Sequence, residues 1–492
     1  MNPVILYAVH IVLAAGLTMG LLVPRRWRRL ILVIAATTGC LAGIGLAIAA
    51  GDETVWRSTT LGRPEGTIAG VAVACAWLLA GARGDERTLG AGALVGVASG
   101  GMVLAVLGDW VVPALVLWLA SSFALVALVS QEGPRAGALL AIGVSDLALV
   151  GALALSSLDE RVWTMPQTLE GLPLALALVS FVVRSGAVPL TGVWETLDSP
   201  AAPALPLMLG GPLALLGAPL SEVEPWFAAV ALLVALGIAG AILSERETRL
   251  SLLGSWPVWL ALGSLVVSPA GLQPAALGSL LAVTVVALWP GGGLGRAARG
   301  LLLGYLPPMV GWVALVATAT RALDRAGAIG GSGRSLAWSL IAGLLLLTVA
   351  AGVALGSRAA LVRSSRSSEV RTTVAAGALL VAGASLGIAS LLVLEPARDL
   401  LGELDRVLIL GGVALVAALA AAAIVYRRPP VAVEGGSAET ESIRGSLVYS
   451  EDRADIAVAV GVFALVAVAS LAAVTYLALE GLSYGFLPPR NL

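Results

Sequence analysis

The 492-residue sequence contains no lysine: arginine stands at all 29 of its basic positions, and histidine occurs once, at His10. A genomic bias toward arginine accounts for such a count, but the chemical consequence holds whatever the cause. Arginine stays protonated in proteins, so no amine and almost no imidazole is available to take up and release protons. The two cysteines, Cys40 and Cys75, both fall in apolar runs, which argues for buried thiols and against a disulfide framework, an iron–sulfur centre or a zinc site. A single histidine excludes a haem-ligating pair, and no flavin motif is present. Charged residues make up 12% of the chain and its net charge is −1, which gives no hint of nucleic-acid binding. No metal cluster, cofactor motif or nucleophile–base arrangement can be read from the sequence.

What is abundant is apolar sequence: 59% of residues are hydrophobic and the mean hydropathy is +0.97. A helix crossing a bilayer needs roughly 20 such residues, and on that rule the chain divides into about 14–16 spans. The expected fold class is therefore all-α, a polytopic membrane protein. Candidate spans cover residues 3–23, 30–50, 66–82, 88–107, 111–130, 134–155, 171–190, 203–220, 226–244, 252–268, 272–289, 301–320, 335–356, 373–394, 408–426 and 455–478. The first run has no basic stretch before it and no small-residue cleavage site after it, so it reads as a spanning helix rather than a leader. Alternate connections hold 19 arginines on one side and 9 on the other, with Arg184 inside a span. By the positive-inside rule this places both termini outside the cytoplasm, in a cell inner (plasma) membrane. Residues 427–454, with "PPVAVEGGSAETES", read as a flexible cytoplasmic linker before a last helix that either spans the membrane or lies against a partner.

Two segments break the pattern. "YLPPMVGWVAL" sets Pro307, Pro308 and Gly311 in the middle of an apolar run. A proline in a helix interior costs about 3 kcal/mol, and in lipid the freed carbonyls are tolerable only where protein or a water-filled cavity covers them. "FVVRSGAVPLTGVWETLDSP" is the second segment, and Pro189 precedes Trp194 by the same five positions that separate Pro307 from Trp312. The arginine count runs the two segments through the membrane in opposite senses, as interrupted helices of inverted-repeat transporters do. Two kinked packing helices without a transport role would show the same spacing.

These segments also carry a family resemblance. "LLGYLPPMVGW" resembles the LPPxxGF segment of the antiporter-like subunits of complex I, Mrp-type cation/proton antiporters and membrane-bound hydrogenases. "RSGAVPLTGVWETLDSPAAPA" is similar to their Lys-Ser-x-x-x-Pro-x-His-x-Trp-Leu segment and the Pro-Thr-Pro-Val-Ser that follows, "ETRLSLLGS" to their Asp-x-Lys-x-x-x-x-x-Ser segment, and "AGALLAIGVSDLALVGAL" to the helix with a Gly-Asp pair. The resemblance covers residues 100–320 in consistent order. It implies two inverted five-helix bundles, each with one Pro-broken helix: residues 1–107 as flanking helices, 108–220 as the first repeat with its break near Pro189, and 221–356 as the second with its break near Pro307. C-terminal helices over 357–426, the linker 427–454 and a final helix in 455–492 would follow.

It also implies a loss. The family's lysine in the first broken helix is matched by Arg184, the lysine after the second motif by Leu315, and the one between them falls near Val285. Its histidine is matched by Thr191, Trp194 is one position late, and the stretch where its glutamate belongs has no acid. Buried lysines shift their pKa readily and arginine does not, so the usual relay is not expected here. What remains is Asp146 in one span and Arg184 in another. Charges inside a membrane are paired or face a cavity, so these two are expected to approach each other, as a structural ion pair first and a charge-coupling pair second. Glu195 and Asp198 at the cytoplasmic end of the broken helix are candidate proton-access acids, although acids at a helix end are more often simply solvated. His10 reads as a hydrogen-bonded packing residue. "PGGGLG" over residues 290–295 lacks the lysine, strand and helix of a phosphate loop and is expected to be a flexible turn.

The expected function is that of an antiporter-like membrane-arm subunit of a multi-subunit proton- or cation-translocating complex, working in assembly or coupling rather than through a lysine relay. Its expected partners are the lipid bilayer and other membrane subunits. "ETLDSPAAPA" also resembles a segment of the membrane subunit of energy-coupled inorganic-carbon uptake systems, so the membrane subunit of such a system is the alternative expected function. A peripheral redox module or a carbonic-anhydrase-like one is a further expected partner. A stand-alone transporter is the competing class. It would need a polar cavity, for which Thr191, Ser185, Arg184 and Asp146 are the available groups.

Overall fold

A computed structural model describes residues 3–20, 24–49, 55–56, 59–60, 63–83, 118–119, 122, 136–156, 171–187, 225–244, 250–267, 272–328, 333–362 and 370–393. The helices are α1 (Pro3–Gly20), α2 (Arg25–Ala49), α3 (Arg63–Arg83), α4 (Ala136–Ser156), α5 (Gly171–Ser185), α6 (Pro225–Ser244), α7 (Leu250–Val267), α8 (Leu272–Leu288), α9 (Gly292–Leu303), α10 (Val310–Ala328), α11 (Gly333–Leu361) and α12 (Val370–Val393). A two-residue antiparallel pairing of Val55–Trp56 with Thr59–Thr60 is the extended structure among the described residues.

Helix dominates because an apolar environment offers backbone groups no outside partner, and a helix satisfies them within one segment. The outer faces fit that environment. In α6, Ala228, Leu232 and Ala235 are buried, while Trp226, Val230 and Leu233 on the other side are about half exposed. A helix apolar all round belongs in a membrane or a large core. Segments of α2, α6, α11 and α12 are long and apolar enough to cross a bilayer, and α3, α4, α5, α8 and α10 contain shorter apolar stretches.

Small residues set the closest helix crossings, as they do where lipid and helix are equally apolar and packing drives association. The α2–α3 pair meets through Gly43 and Gly70, each of which lies against the other helix's backbone. The Trp77 indole N–H donates to His10 Nδ1 at 2.8 Å, tying α3 to α1 with both rings buried. Around α9, Gly300 and Gly304 cross Gly352 and Gly356 of α11, two small-xxx-small faces in mutual contact.

Most helix boundaries fall within a few residues of the sequence expectation, with two differences. The expected span 301–320 is two helices, α9 and α10, because residues 304–309 leave helical geometry. The expected turn "PGGGLG" instead supplies the N-cap and first turn of α9. Glycine permits this: a Cβ on Gly295 would stand 2.5 Å from the Pro290 carbonyl oxygen. The expected spans 88–107, 203–220, 408–426 and 455–478, nearly all of 111–130, and the linker 427–454 lie outside the described residues.

Candidate functional site

Asp146 sits midway along α4, and Arg184 is the penultimate residue of α5. The two helices pack against each other. Arg184 Nη1 lies 3.3 Å from Asp146 Oδ1, with the arginine side chain 1% exposed and the aspartate 15%. The same carboxylate oxygen accepts from Trp118 Nε1 at 2.7 Å and from Ser122 Oγ at 2.9 Å. Arg184 Nη2 donates to Ser122 Oγ at 2.7 Å, so the serine hydroxyl accepts from the cation while donating to the anion. The Arg184 guanidinium also lies over the Trp118 ring, 4.6 Å from its centroid. Charge-assisted bonds of this kind are roughly twice as strong as neutral ones, and the cation–π contact adds about 0.5–2 kcal/mol.

One turn from the ion pair, Ser145 Oγ donates to the Ser180 carbonyl at 3.1 Å, a second polar tie between α4 and α5. Helix α5 then stops. Gly186 takes a left-handed φ of 63°, its N–H donating to the Val183 carbonyl at 3.2 Å, and Ser185 Oγ donates to the Val182 carbonyl at 2.8 Å. Pro189, Thr191, Trp194, Glu195 and Asp198 lie outside the described residues.

The second feature is the interruption between α9 and α10. Helix α9 ends on Gly304, after which Tyr305 takes a left-handed φ of 49°. Leu306 N donates to the Leu301 carbonyl at 3.1 Å and Tyr305 N to Leu302 at 3.4 Å. This 6→1 and 5→2 pattern closes a helix C-terminus and satisfies two carbonyls that would otherwise be orphaned. Pro307 and Pro308 follow, and neither has an N–H to satisfy. Helix α10 is opened by Met309 N donating to the Leu306 carbonyl at 2.8 Å and Trp312 N donating to Met309 at 3.0 Å.

The interruption is enclosed by protein. The Gly278 Cα side of α8 meets Gly311 closely, Gly387 of α12 lies against the Pro308 carbonyl, and Gly311 leaves room for the Tyr305 ring. Tyr305 itself is buried, its hydroxyl 3.1 Å from Ser279 Oγ, which donates to the Pro257 carbonyl at 2.7 Å. Trp312 is also buried, and so are Leu315 and Val285, the positions at which the family resemblance puts lysines.

The arrangement provides fixed charge and fixed dipoles. Arginine does not give up its proton under ordinary conditions, so the Arg184–Asp146 cluster can set a local field but has no proton to pass through its cation. Sequence reasoning missed Trp118 and Ser122. The available signal was a polar pair four residues apart, one helical turn, in the otherwise apolar "LVLWLASSFALVAL". Among the described residues no three His, Cys, Asp or Glu side chains converge as metal ligands would.

The chain's fold matches that of solved membrane-complex chains. A chain of the membrane-bound sulfane sulfur reductase, an archaeal respiratory membrane complex, aligns over 97% of this chain and 94% of its own length, with a TM-score of 0.58 and 16% identity. A chain of the Mrp complex from Dietzia sp. aligns over 80% and 96%, with a TM-score of 0.56 and 13% identity. A chain of respiratory complex I from Thermus thermophilus aligns over 79% and 98%, with a TM-score of 0.54 and 20% identity. No protein-family model matches the sequence, and no curated protein matches it. The described residues are almost entirely helical, and the membrane-embedded chain has the fold of these chains of multi-subunit membrane complexes.

Proposed function

We propose that this protein is a membrane-arm subunit of a proton- or cation-translocating complex that keeps the antiporter-like scaffold without its lysine relay, and that it serves assembly and coupling. The supporting observation is the Arg184–Asp146 pair at 3.3 Å, in which arginine stands where the family resemblance puts a lysine. Leu315 and Val285, buried and apolar, add to it, since neither can hold a proton. The one histidine is hydrogen-bonded to Trp77 in the packing of α1 against α3.

Two inverted repeats over residues 108–220 and 221–356, interrupted near Pro189 and Pro307, are part of the proposal, as are an inner-membrane location and non-cytoplasmic termini. A stand-alone transporter has less support. Of its candidate polar groups, Arg184 and Asp146 bond to each other, and Ser185 bonds to its own helix at Val182, so these groups are engaged in packing.

The test is isolation of the tagged chain in a mild detergent, with identification of what accompanies it. Other membrane subunits in fixed stoichiometry are the expected result. A lone chain that moves protons or cations when reconstituted by itself would refute the reading.

A further inference from the structure

The Gly-rich stretch "PGGGLG" opens α9 with features of an anion site that the Arg184–Asp146 cluster does not share. Its N-cap, Gly291, makes no side-chain capping bond, and Gly292 and Gly293 are exposed. The first-turn N–H groups, the positive end of the helix dipole, therefore have no side-chain cap. Two turns along, Arg299 is fully buried (0% exposed), and its Nε, Nη1 and Nη2 make no hydrogen bond. Its guanidinium lies over the Trp289 ring, 4.6 Å from the centroid. Trp289 stands two residues before the N-cap, with a left-handed φ of 38° that turns the chain from α8 toward α9. Helical side chains lean toward their own N-terminus, so the stacked guanidinium is directed back toward the end of α9 where the capping bond is missing.

Among the described residues the helices packed most against α9 are α8, α11 and α12, and none of the three contains an aspartate or glutamate. Two further arginines are near in sequence or packing: Arg296 one turn earlier on α9, and the buried Arg358 on α11, two residues beyond Gly356, which touches Gly300. Arg299 thus has neither a hydrogen bond nor, among the described residues, an acid beside it, and a buried cation left so costs several kcal/mol. These three helices do not supply an acid.

We propose that Arg299 and the first turn of α9 bind the phosphate group of a ligand from outside the chain. A guanidinium fork matches two phosphate oxygens, and a glycine-lined helix start lets backbone N–H groups reach the others. The phosphate comes from the headgroup of an anionic phospholipid or from free inorganic phosphate. The arginine asymmetry of the connections puts this end of α9 on the cytoplasmic side, where basic pockets between helices take lipid headgroups.

The test uses the full chain with whatever subunits accompany it, stripped of lipid by prolonged washing in neutral detergent. Its Tm is followed against sodium phosphate and, separately, against a short-chain phosphatidic acid, with ionic strength matched by chloride. A saturable rise of several degrees is expected with at least one probe. A rise with phosphate assigns the free anion, and a rise confined to the phosphatidic acid assigns the headgroup. Arg299→Leu is expected to abolish the response. Gly293→Asp, at a position with open space for a side chain, supplies an internal carboxylate and is expected to raise the ligand-free Tm while abolishing the response. No saturable rise with either probe overturns the proposal. So does a rise that persists in Arg299→Leu or, should that variant not fold, in Gly293→Asp.

Discussion

Arg184 and Arg299 are both fully buried, both lie across a tryptophan ring at a centroid distance of 4.6 Å, and both sit on a helix that ends soon afterwards. They differ in how the charge is answered. Arg184 meets Asp146 and a serine that bonds to both partners, so its neutralisation is built into α4 and α5. The Arg299 guanidinium makes no hydrogen bond, and the described helices α8, α11 and α12 that pack against its helix contain no acid. A charge neutralised within the chain is a fixture of the fold, whereas one neutralised from outside couples the fold to a ligand. Two arginines with the same aromatic neighbour can therefore have opposite consequences when replaced.

The largest expected effect is at the closed pair. Asp146→Ala leaves Arg184 buried without its anion and should destabilise by about 3–5 kcal/mol, read as a fall in Tm and in the yield of assembled protein. The double change Asp146→Leu with Arg184→Leu should recover much of that loss, because apolar groups of similar volume replace a buried ion pair at little cost. A double variant as unstable as the single would mean that packing rather than charge holds α4 to α5.

The comparison extends to how the two helix ends are held. The α5 end rests on polar bonds from serine, while the α9 end is clasped by glycine faces. Gly387→Ala would press a methyl group onto the Pro308 carbonyl and should cost about 1–3 kcal/mol in Tm-derived stability, the range for overpacking. A neutral result would show that α12 does not brace the interruption. Ser279→Ala removes the bonds to the Pro257 carbonyl and the Tyr305 hydroxyl and should cost about 1 kcal/mol. Adding Tyr305→Phe to it should cost little more, since the orphaned hydroxyl goes as well. The smallest expected effect is at the open charge: Arg299→Leu should leave the ligand-free Tm unchanged or slightly raised. A large fall there would erase the contrast with Arg184.

Much of this architecture can be read from composition, because apolar runs of fixed length in a lipid environment leave helix as the local solution. The Asp146–Arg184 approach is legible for the same reason: two lone opposite charges in apolar spans have few alternatives. The region around α9 is less so. Its arginines, Arg296 and Arg299, resemble the basic residues of an ordinary connection, and three consecutive glycines resemble a turn. Helix formation there depends on a tertiary feature, the close crossing of Gly300 and Gly304 with Gly352 and Gly356, which local propensity cannot reveal. Trp118 and Ser122 were equally hidden, since a serine and a tryptophan in an apolar run are ordinary until a buried ion pair requires their hydrogen bonds.

The central claim is that the Arg184–Asp146 pair is a fixed charge pair rather than a step on a proton path. The direct measurement is ion translocation per assembled complex, in reconstituted vesicles, with this chain carrying both Asp146→Leu and Arg184→Leu. The account predicts assembly and a translocation rate equal to wild type. A complex that assembles fully but no longer translocates would contradict it.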